Sequence, residues 1–255
     1  MRPNLFFCIN MQRAGNTLLG SILNQNPDIT FTPNSPLTEI IYKLDLIKKE
    51  FVTSLNFPHD SAFDNLITKS FYNYSEIYKT KYVINRANWQ TEANLDLLKE
   101  YFDKEIKFLI LYRNPLECLV SLCRAYKYKK EETEKTTEYH MNIETGSLGN
   151  VAYQIPFVRK NYEHLFVTYD EIINNPQEVI NNIYSFFEIP KFKHTFKNLK
   201  QFEIQGVQYD DSIFGDVDLH TIRTDKIEKK TYKIEDYLLP SVIEKYKYLG
   251  EMCES

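Results

Sequence analysis

One stretch near the start constrains the fold more than any other. Leu5 to Ile9 is a short unbroken apolar run, the pattern of a strand buried on both faces. Asn10 to Gly15 is polar and holds one of the seven glycines in the chain. From Thr17 the apolar residues fall at Leu18, Leu19, Ile22 and Leu23, which is helical spacing. Strand, tight loop and helix in that order aim successive backbone N–H groups, and the positive end of a helix, at one point in space. Such a point binds phosphate. Taken as pattern alone, the same order is also the ordinary opening of an α/β chain, with the loop serving only as a turn.

The loop excludes two common nucleotide sites. A Mg-nucleotide P-loop reads G-x-x-x-x-G-K-[ST]. Here Asn10 stands at the first glycine and Asn16 at the lysine, so the point charge that meets a γ-phosphate is missing. The cation sits earlier, at Arg13. No dinucleotide G-x-G-x-x-G occurs either.

The remainder alternates strand and helix signals. Ile29 to Thr32 and Tyr82 to Ile84 read as strands, and Ile106 to Tyr112 is the clearest buried one. Helical spacing appears at Leu37–Ile47, Phe63–Tyr74, Leu95–Phe102 and 151–162, with Thr91 able to cap the third of these. Asn114, Pro115 and Glu117 form a helix-start pattern that recurs at Asn175, Pro176 and Glu178. His164 to Thr168 is a strand, Gln177 to Phe187 a helix, and Leu238 to Leu249 a closing helix. The charged stretch Lys129 to Glu138 shows no apolar period and reads as a solvent-exposed helix end or loop. Strands alternating with helices imply crossovers and a mostly parallel sheet flanked by helices, a three-layer α/β fold. No linker divides residues 1–255, so one domain is expected. Residues 191–235 are irregular and aromatic-rich, the pattern of a lid.

Composition narrows the function. With 43% hydrophobic and 26% charged residues over 255 positions, the chain can build a core. A net charge of −4 without a dominant basic run argues against nucleic acid as a partner. The four cysteines, Cys8, Cys118, Cys123 and Cys253, make no C-x-x-C pair and read as core residues, not as a disulfide framework or metal site. No leader is expected before the first strand, and no apolar run is long enough for an integral membrane segment. A soluble, cytoplasmic protein is the expectation.

Three segments carry a family resemblance. Arg13-Ala14-Gly15-Asn16-Thr17-Leu18-Leu19 resembles the R-S-G-T-T-L loop of sulfotransferases. Arg113-Asn114-Pro115, with Ser121 eight positions after Arg113, resembles the family's R-D-P segment, with Asn114 in place of Asp. Val167 to Ile172, followed by Asn175-Pro176, Phe186-Phe187 and Ile189-Pro190, resembles its Y-E-D-L…P…F-L-G-I-P run. Together they cover Phe6 to Pro190. The resemblance implies a P-loop-like sulfotransferase fold and the donor 3′-phosphoadenosine 5′-phosphosulfate (PAPS), with 3′,5′-bisphosphoadenosine as product.

It also implies residue roles. The backbone from Ala14 through Gly15 and Asn16 to Leu18, with Arg13 and the Thr17 hydroxyl, would hold the 5′-phosphosulfate, and Arg13 would stabilise the leaving charge. Arg113 and Ser121 would hold the 3′-phosphate. Arg223, in His220-Thr221-Ile222-Arg223-Thr224, resembles the family's C-terminal 3′-phosphate clamp, without the glycine that usually follows. Tyr169 falls at a position near the adenosine, or is simply a core tyrosine at a strand end. Sulfuryl transfer of this kind is metal-independent and in line, to a hydroxyl or amine.

The base is less constrained. The cytosolic branch places a histidine after a middle strand, but Ile84-Asn85-Arg86-Ala87-Asn88-Trp89 has none. Glu39, after the first helix, is the candidate. It is equally an ordinary acid in a first helical turn. His59 and His220, in loops, remain open. Small-molecule, carbohydrate, lipid and peptide acceptors all fit, and a small-metabolite kinase or a catalytically inactive nucleotide-binding module are the competing readings.

Overall fold

The first apolar run forms β1 (Asn4–Asn10), the middle strand of a five-stranded sheet. The computed structural model describes residues 2–215, 217–229 and 231–254. Its other strands are β2 (Ile29–Asn34), β3 (Tyr82–Ala87), β4 (Lys107–Tyr112) and β5 (Glu163–Thr168). They lie in the order β2-β3-β1-β4-β5, and every neighbouring pair is parallel.

Parallel neighbours need crossover connections, and helices supply them. α1 (Asn16–Leu23) links β1 to β2. α2 (Leu37–Glu50), α3 (Val52–Asn56) and α4 (Asp60–Glu76) link β2 to β3. α5 (Glu92–Tyr101) precedes β4. α6 (Pro115–Ala125), α7 (Thr133–Met141) and α8 (Gly149–Asn161) precede β5. After β5 come α9 (Tyr169–Asn174) and α10 (Pro176–Phe186). An irregular strap follows, carrying the two-residue strands β6 (Glu203–Ile204) and β7 (Val207–Gln208), and then α11 (Pro240–Glu254).

Alternation along β1 builds the two cores. Phe7 and Ile9 enter one cluster, with Leu37 of α2, Phe71 of α4, Leu98 of α5 and Leu249 of α11. Cys8 enters the other, with Leu19 of α1, Ile183 of α10 and the strap residues Leu199 and Phe202. The Phe7 ring meets Trp89 and Phe102 edge-on, each at 4.8 Å between centroids. Each such fully buried side chain contributes about 1.5–3 kcal/mol of transfer free energy. The expected three-layer fold is the observed one.

Two local expectations differ. Residues 133–141 form a helix, where the sequence reading expects exposed charge. Its inner face is Thr133, Thr137 and Met141, all fully buried. The two hydroxyls donate to the carbonyls of Lys130 and Thr133 at 2.7 and 2.6 Å, so threonine at helical spacing does the packing that apolar residues usually do. The Asn175 side chain makes no cap. The capping box belongs to the preceding helix, where Thr168 and Glu171 exchange hydrogen bonds at the start of α9. Asn114 does cap α6, accepting from the Leu116 N–H at 3.0 Å. Its partner Glu117 turns instead to Arg113.

Candidate functional site

A cavity of about 1340 Å³ opens at the carboxyl ends of the strands, where open α/β sheets bind ligands. Asn10 ends β1, Asn34 ends β2, Arg86 lies near the end of β3, Arg113 follows β4 and Tyr169 follows β5, and all five line it. The parallel sheet gathers residues that stand far apart in the chain because it places every strand end on one side.

The loop after β1 forms the floor. Arg13 and Gly15 take the left-handed conformation, with φ of 65° and 86°. That conformation costs a non-glycine residue about 1–2 kcal/mol, so the rest of the loop holds Arg13 there. A Cβ on Gly15 would stand 3.0 Å from Cδ2 of Tyr169, so only glycine allows that close approach without strain. Among the described residues, the backbone N–H groups of Gly15, Asn16, Thr17 and Leu18 find no acceptor in the protein. They are the open donors of the α1 terminus, and these four residues line the cavity. A free N–H run at a helix start is an anion site.

Ala14 does not join them. It is fully buried in the core, and its N–H bonds to the Met11 carbonyl at 3.3 Å. Asn16 braces the loop: its carboxamide donates to that same carbonyl at 2.8 Å. The position of a P-loop lysine is thus occupied by a side chain turned inward.

Two arginines stand over the floor. Arg13 donates through Nε to the Ser121 hydroxyl at 3.0 Å and through Nη1 to the Leu219 carbonyl of the strap. Arg113 donates through Nε to Glu117 at 3.0 Å and through Nη1 to the Arg13 carbonyl at 3.3 Å. Its guanidinium lies 4.3 Å from the centre of the Tyr169 ring, a cation–π contact. Burial pulls the Arg13 guanidinium below its ordinary value, and the neighbouring charge of Arg113 pulls the same way. An anion between the two would relieve both effects.

Arg223 also lines the cavity, but at its rim. It is half exposed and ion-paired to Glu228 at 2.8 Å. Glu39 is not brought to the cavity. Leu37, Thr38 and Ile41 turn the inner face of α2 to the core, and Glu39 falls on the opposite, exposed face. Ile40, expected to help desolvate it, is itself exposed. His59 lies at the exposed start of α4 and does not line the cavity.

The structure adds two features. Arg86 is only 4% exposed, yet its Nε and Nη1 have no hydrogen-bond partner, while Nη2 donates to the Tyr209 hydroxyl at 2.9 Å. A buried guanidinium with two open nitrogens lining a cavity is poised for an oxygen-rich ligand. The signal was an arginine inside the apolar strand Val83-Ile84-Asn85-Arg86-Ala87. The second feature is the pair His220 and Asp211 of the strap, of which His220 lines the cavity and Asp211 stands behind it. Among the described residues no group of three or more side chains could hold a metal ion, and no helix is long and apolar enough to cross a membrane.

Solved sulfotransferase structures align with this chain. Mouse sulfotransferase SULT7A1, solved in complex with PAP, aligns over 97% of this chain and 82% of its own, at 13% identity and a TM-score of 0.53. The sulfotransferase domain of the Synechococcus PCC 7002 olefin synthase aligns over 100% and 88%, at 16% identity and a TM-score of 0.46. A sulfotransferase from Alicyclobacillus acidocaldarius aligns over 74% and 82%, at 14% identity and a TM-score of 0.48. No curated protein matches the chain. The decisive comparison is with sequence families, where the model of the sulfotransferase domain matches residues 3–249, and by that match the chain belongs to the sulfotransferase family.

Proposed function

We propose that this protein moves a sulfuryl group from PAPS to an acceptor hydroxyl or amine by in-line transfer. The observation that carries the proposal is the run of open N–H groups from Gly15 to Leu18 facing the same cavity as Arg13, Arg113 and Ser121. A 3′,5′-bisphosphorylated nucleotide needs two anion sites a ribose apart, and these residues fit both. The N–H run and the Thr17 hydroxyl would take the 5′ end. Arg113 and Ser121 would take the 3′-phosphate, with Tyr169 beside the adenosine and Arg223 at the rim. Arg86 offers its two open nitrogens to the sulfuryl oxygens.

PAPS supplies the activated sulfuryl group; the chain's residues bind and orient it and answer the charge that develops. Arginines and backbone dipoles already fixed in place stabilise that charge without reorganising, so the scheme requires no metal. The cavity wall includes Ile77, Val207, Ile213 and Phe214, all exposed large apolar side chains. They support an acceptor that carries its hydroxyl or amine on an apolar body.

Calorimetry tests the donor, with bisphosphoadenosine titrated in EDTA and Mg-ATP in a separate EDTA-free buffer. 3′,5′-Bisphosphoadenosine is expected to bind without added metal, and Mg-ATP to bind at least about tenfold more weakly, because Asn16 cannot replace the P-loop lysine. Tight Mg-ATP binding together with no bisphosphoadenosine binding would sink the proposal in favour of a kinase.

A further inference from the structure

Resting on the donor reading above, one pair in the strap supplies what Glu39 does not. His220 donates from Nδ1 to Oδ1 of Asp211 at 2.5 Å. The other carboxylate oxygen of Asp211 accepts the backbone N–H groups of Leu219 and His220, at 2.8 and 2.9 Å. Three donors thus hold one carboxylate. Burial pushes the Asp211 carboxyl up, but the bonds from the His220 ring and from the two N–H groups outweigh it and hold it below the usual carboxylate range. An ionised carboxylate only accepts, so Nδ1 carries the proton, and in the neutral ring it is then Nε2 that carries the lone pair.

The ring is held on a second side as well. It stacks on Tyr209 with centroids 3.7 Å apart and planes within 6°. The Tyr209 hydroxyl takes the bond from Arg86. The residue before His220, Leu219, takes the bond from Arg13. The imidazole is therefore tied to both arginines assigned to the sulfuryl end of the cavity, and among the described residues nothing hydrogen-bonds its Nε2. It is a quarter exposed and lines the cavity.

We infer that His220 is the general base that takes the acceptor's proton, and that Asp211 positions its ring and sets its tautomer. The acceptor O–H (or N–H) proton passes to Nε2 as the acceptor's bond to sulfur forms. The bond from sulfur to the 5′-phosphate oxygen breaks, and its electron pair leaves with that oxygen. The imidazolium then returns its proton to water. The nucleophile–base–orienter logic is that of any carboxylate–histidine pair, here built entirely within the strap.

The experiment compares the full chain with His220→Gln and Asp211→Asn by three measurements. In 15N spectra of the neutral imidazole, His220 is expected as the Nδ1–H tautomer, converting to a mixture or to Nε2–H in Asp211→Asn; Nε2–H in the unmutated chain overturns the assignment. Bisphosphoadenosine affinity is expected to stay within about twofold in both variants. Its loss in both would make the pair a strap fastener and overturn the role as base. Turnover of labelled PAPS with a panel of phenols and aliphatic alcohols is expected to fall about 10²-fold or more in His220→Gln and about tenfold in Asp211→Asn. A His220→Gln rate within a few-fold of the parent, or a parent that binds bisphosphoadenosine but turns over no acceptor, also overturns it. Absence of bisphosphoadenosine binding in the parent removes the donor reading itself, which separates that failure from a failure of the base.

Discussion

Arg86 shows how one side chain can serve a site at the expense of the fold. Its strand neighbours Val83, Ile84 and Ala87 are buried apolar residues, and it is nearly as buried as they are. Two of its three nitrogens have no partner in the protein, and a buried donor left unsatisfied costs about 1–3 kcal/mol. The Tyr209 hydroxyl and the Phe31 ring, 5.9 Å from the guanidinium, offset only part of that. Arg86→Met keeps the length and removes the charge. The variant is expected to melt about 2–6 °C higher, at about 2–4 °C per kcal/mol for a chain of this size, while its PAPS turnover falls at least tenfold. Scanning calorimetry with a labelled-donor assay checks both. A lower melting temperature would show that Arg86 is held by the fold and not kept for a ligand.

At the scale of elements, the strap between α10 and α11 is fastened more firmly than its lack of regular structure suggests. Gln201 grips the backbone of Ile222 twice, donating to its carbonyl at 2.8 Å and accepting its N–H at 3.0 Å. The Leu199 N–H donates to the Thr224 carbonyl at 2.7 Å. Phe202 inserts against α1 beside Gly20, where an added Cβ would lie 2.5 Å from its ring. Glycine at 20 is what lets that ring reach the helix that starts at the anion loop. Phe202→Ala removes a nearly fully buried ring, a change worth about 3–5 kcal/mol in a core. The loss is expected to open the strap locally. Limited proteolysis within residues 203–229 should run at least about tenfold faster, with far-ultraviolet dichroism unchanged. Equal cleavage rates would mean that the polar clamps alone hold the strap.

At the scale of the whole molecule, the burial of two histidines, His194 and His140, has a consequence for its pH dependence. His194, at the start of the strap, is buried with Nε2 at 2.8 Å from the Tyr184 hydroxyl, which in turn accepts from Asn26. His140 contacts the Ser147 hydroxyl at 2.8 Å. Burial pushes both imidazoles below their ordinary value. The unfolded chain therefore binds protons that the folded chain refuses. A depressed histidine contributes stability that is fully present above the unfolded value, about pH 6.5, and is lost as the pH falls through the folded one. Chemical denaturation is expected to show stability falling from pH 7 toward pH 5. His194→Gln, which keeps polarity without titrating, should flatten that slope at some cost at pH 7. An unchanged slope would assign the effect to His140 or to the carboxylates.

The sequence by itself determined the frame of this protein. An apolar run, a polar glycine loop and a helical period specify strand, turn and helix through local chemistry, and strands alternating with helices leave a parallel sheet as the economical arrangement. Given that sheet, Arg13, Arg113 and Tyr169 had to approach one another, because each stands just beyond a strand end, and Ser121 follows two turns into the helix after Arg113. The helical phase of single residues was legible only in part. Glu39 lies two positions from Leu37 and from Ile41, and both face the core, so it turned outward. Ala14 lies within the motif, yet its methyl fills the core and its N–H closes a turn. Arg86 was visible as an anomaly in a strand, but only packing could show that its charge has too few partners. The pairing of Asp211 with His220 left no trace in the sequence. They stand nine positions apart, in a stretch whose sequence has no period to read. Its conformation comes from contacts with β3, α1 and the anion loop, which exist only once the sheet has formed.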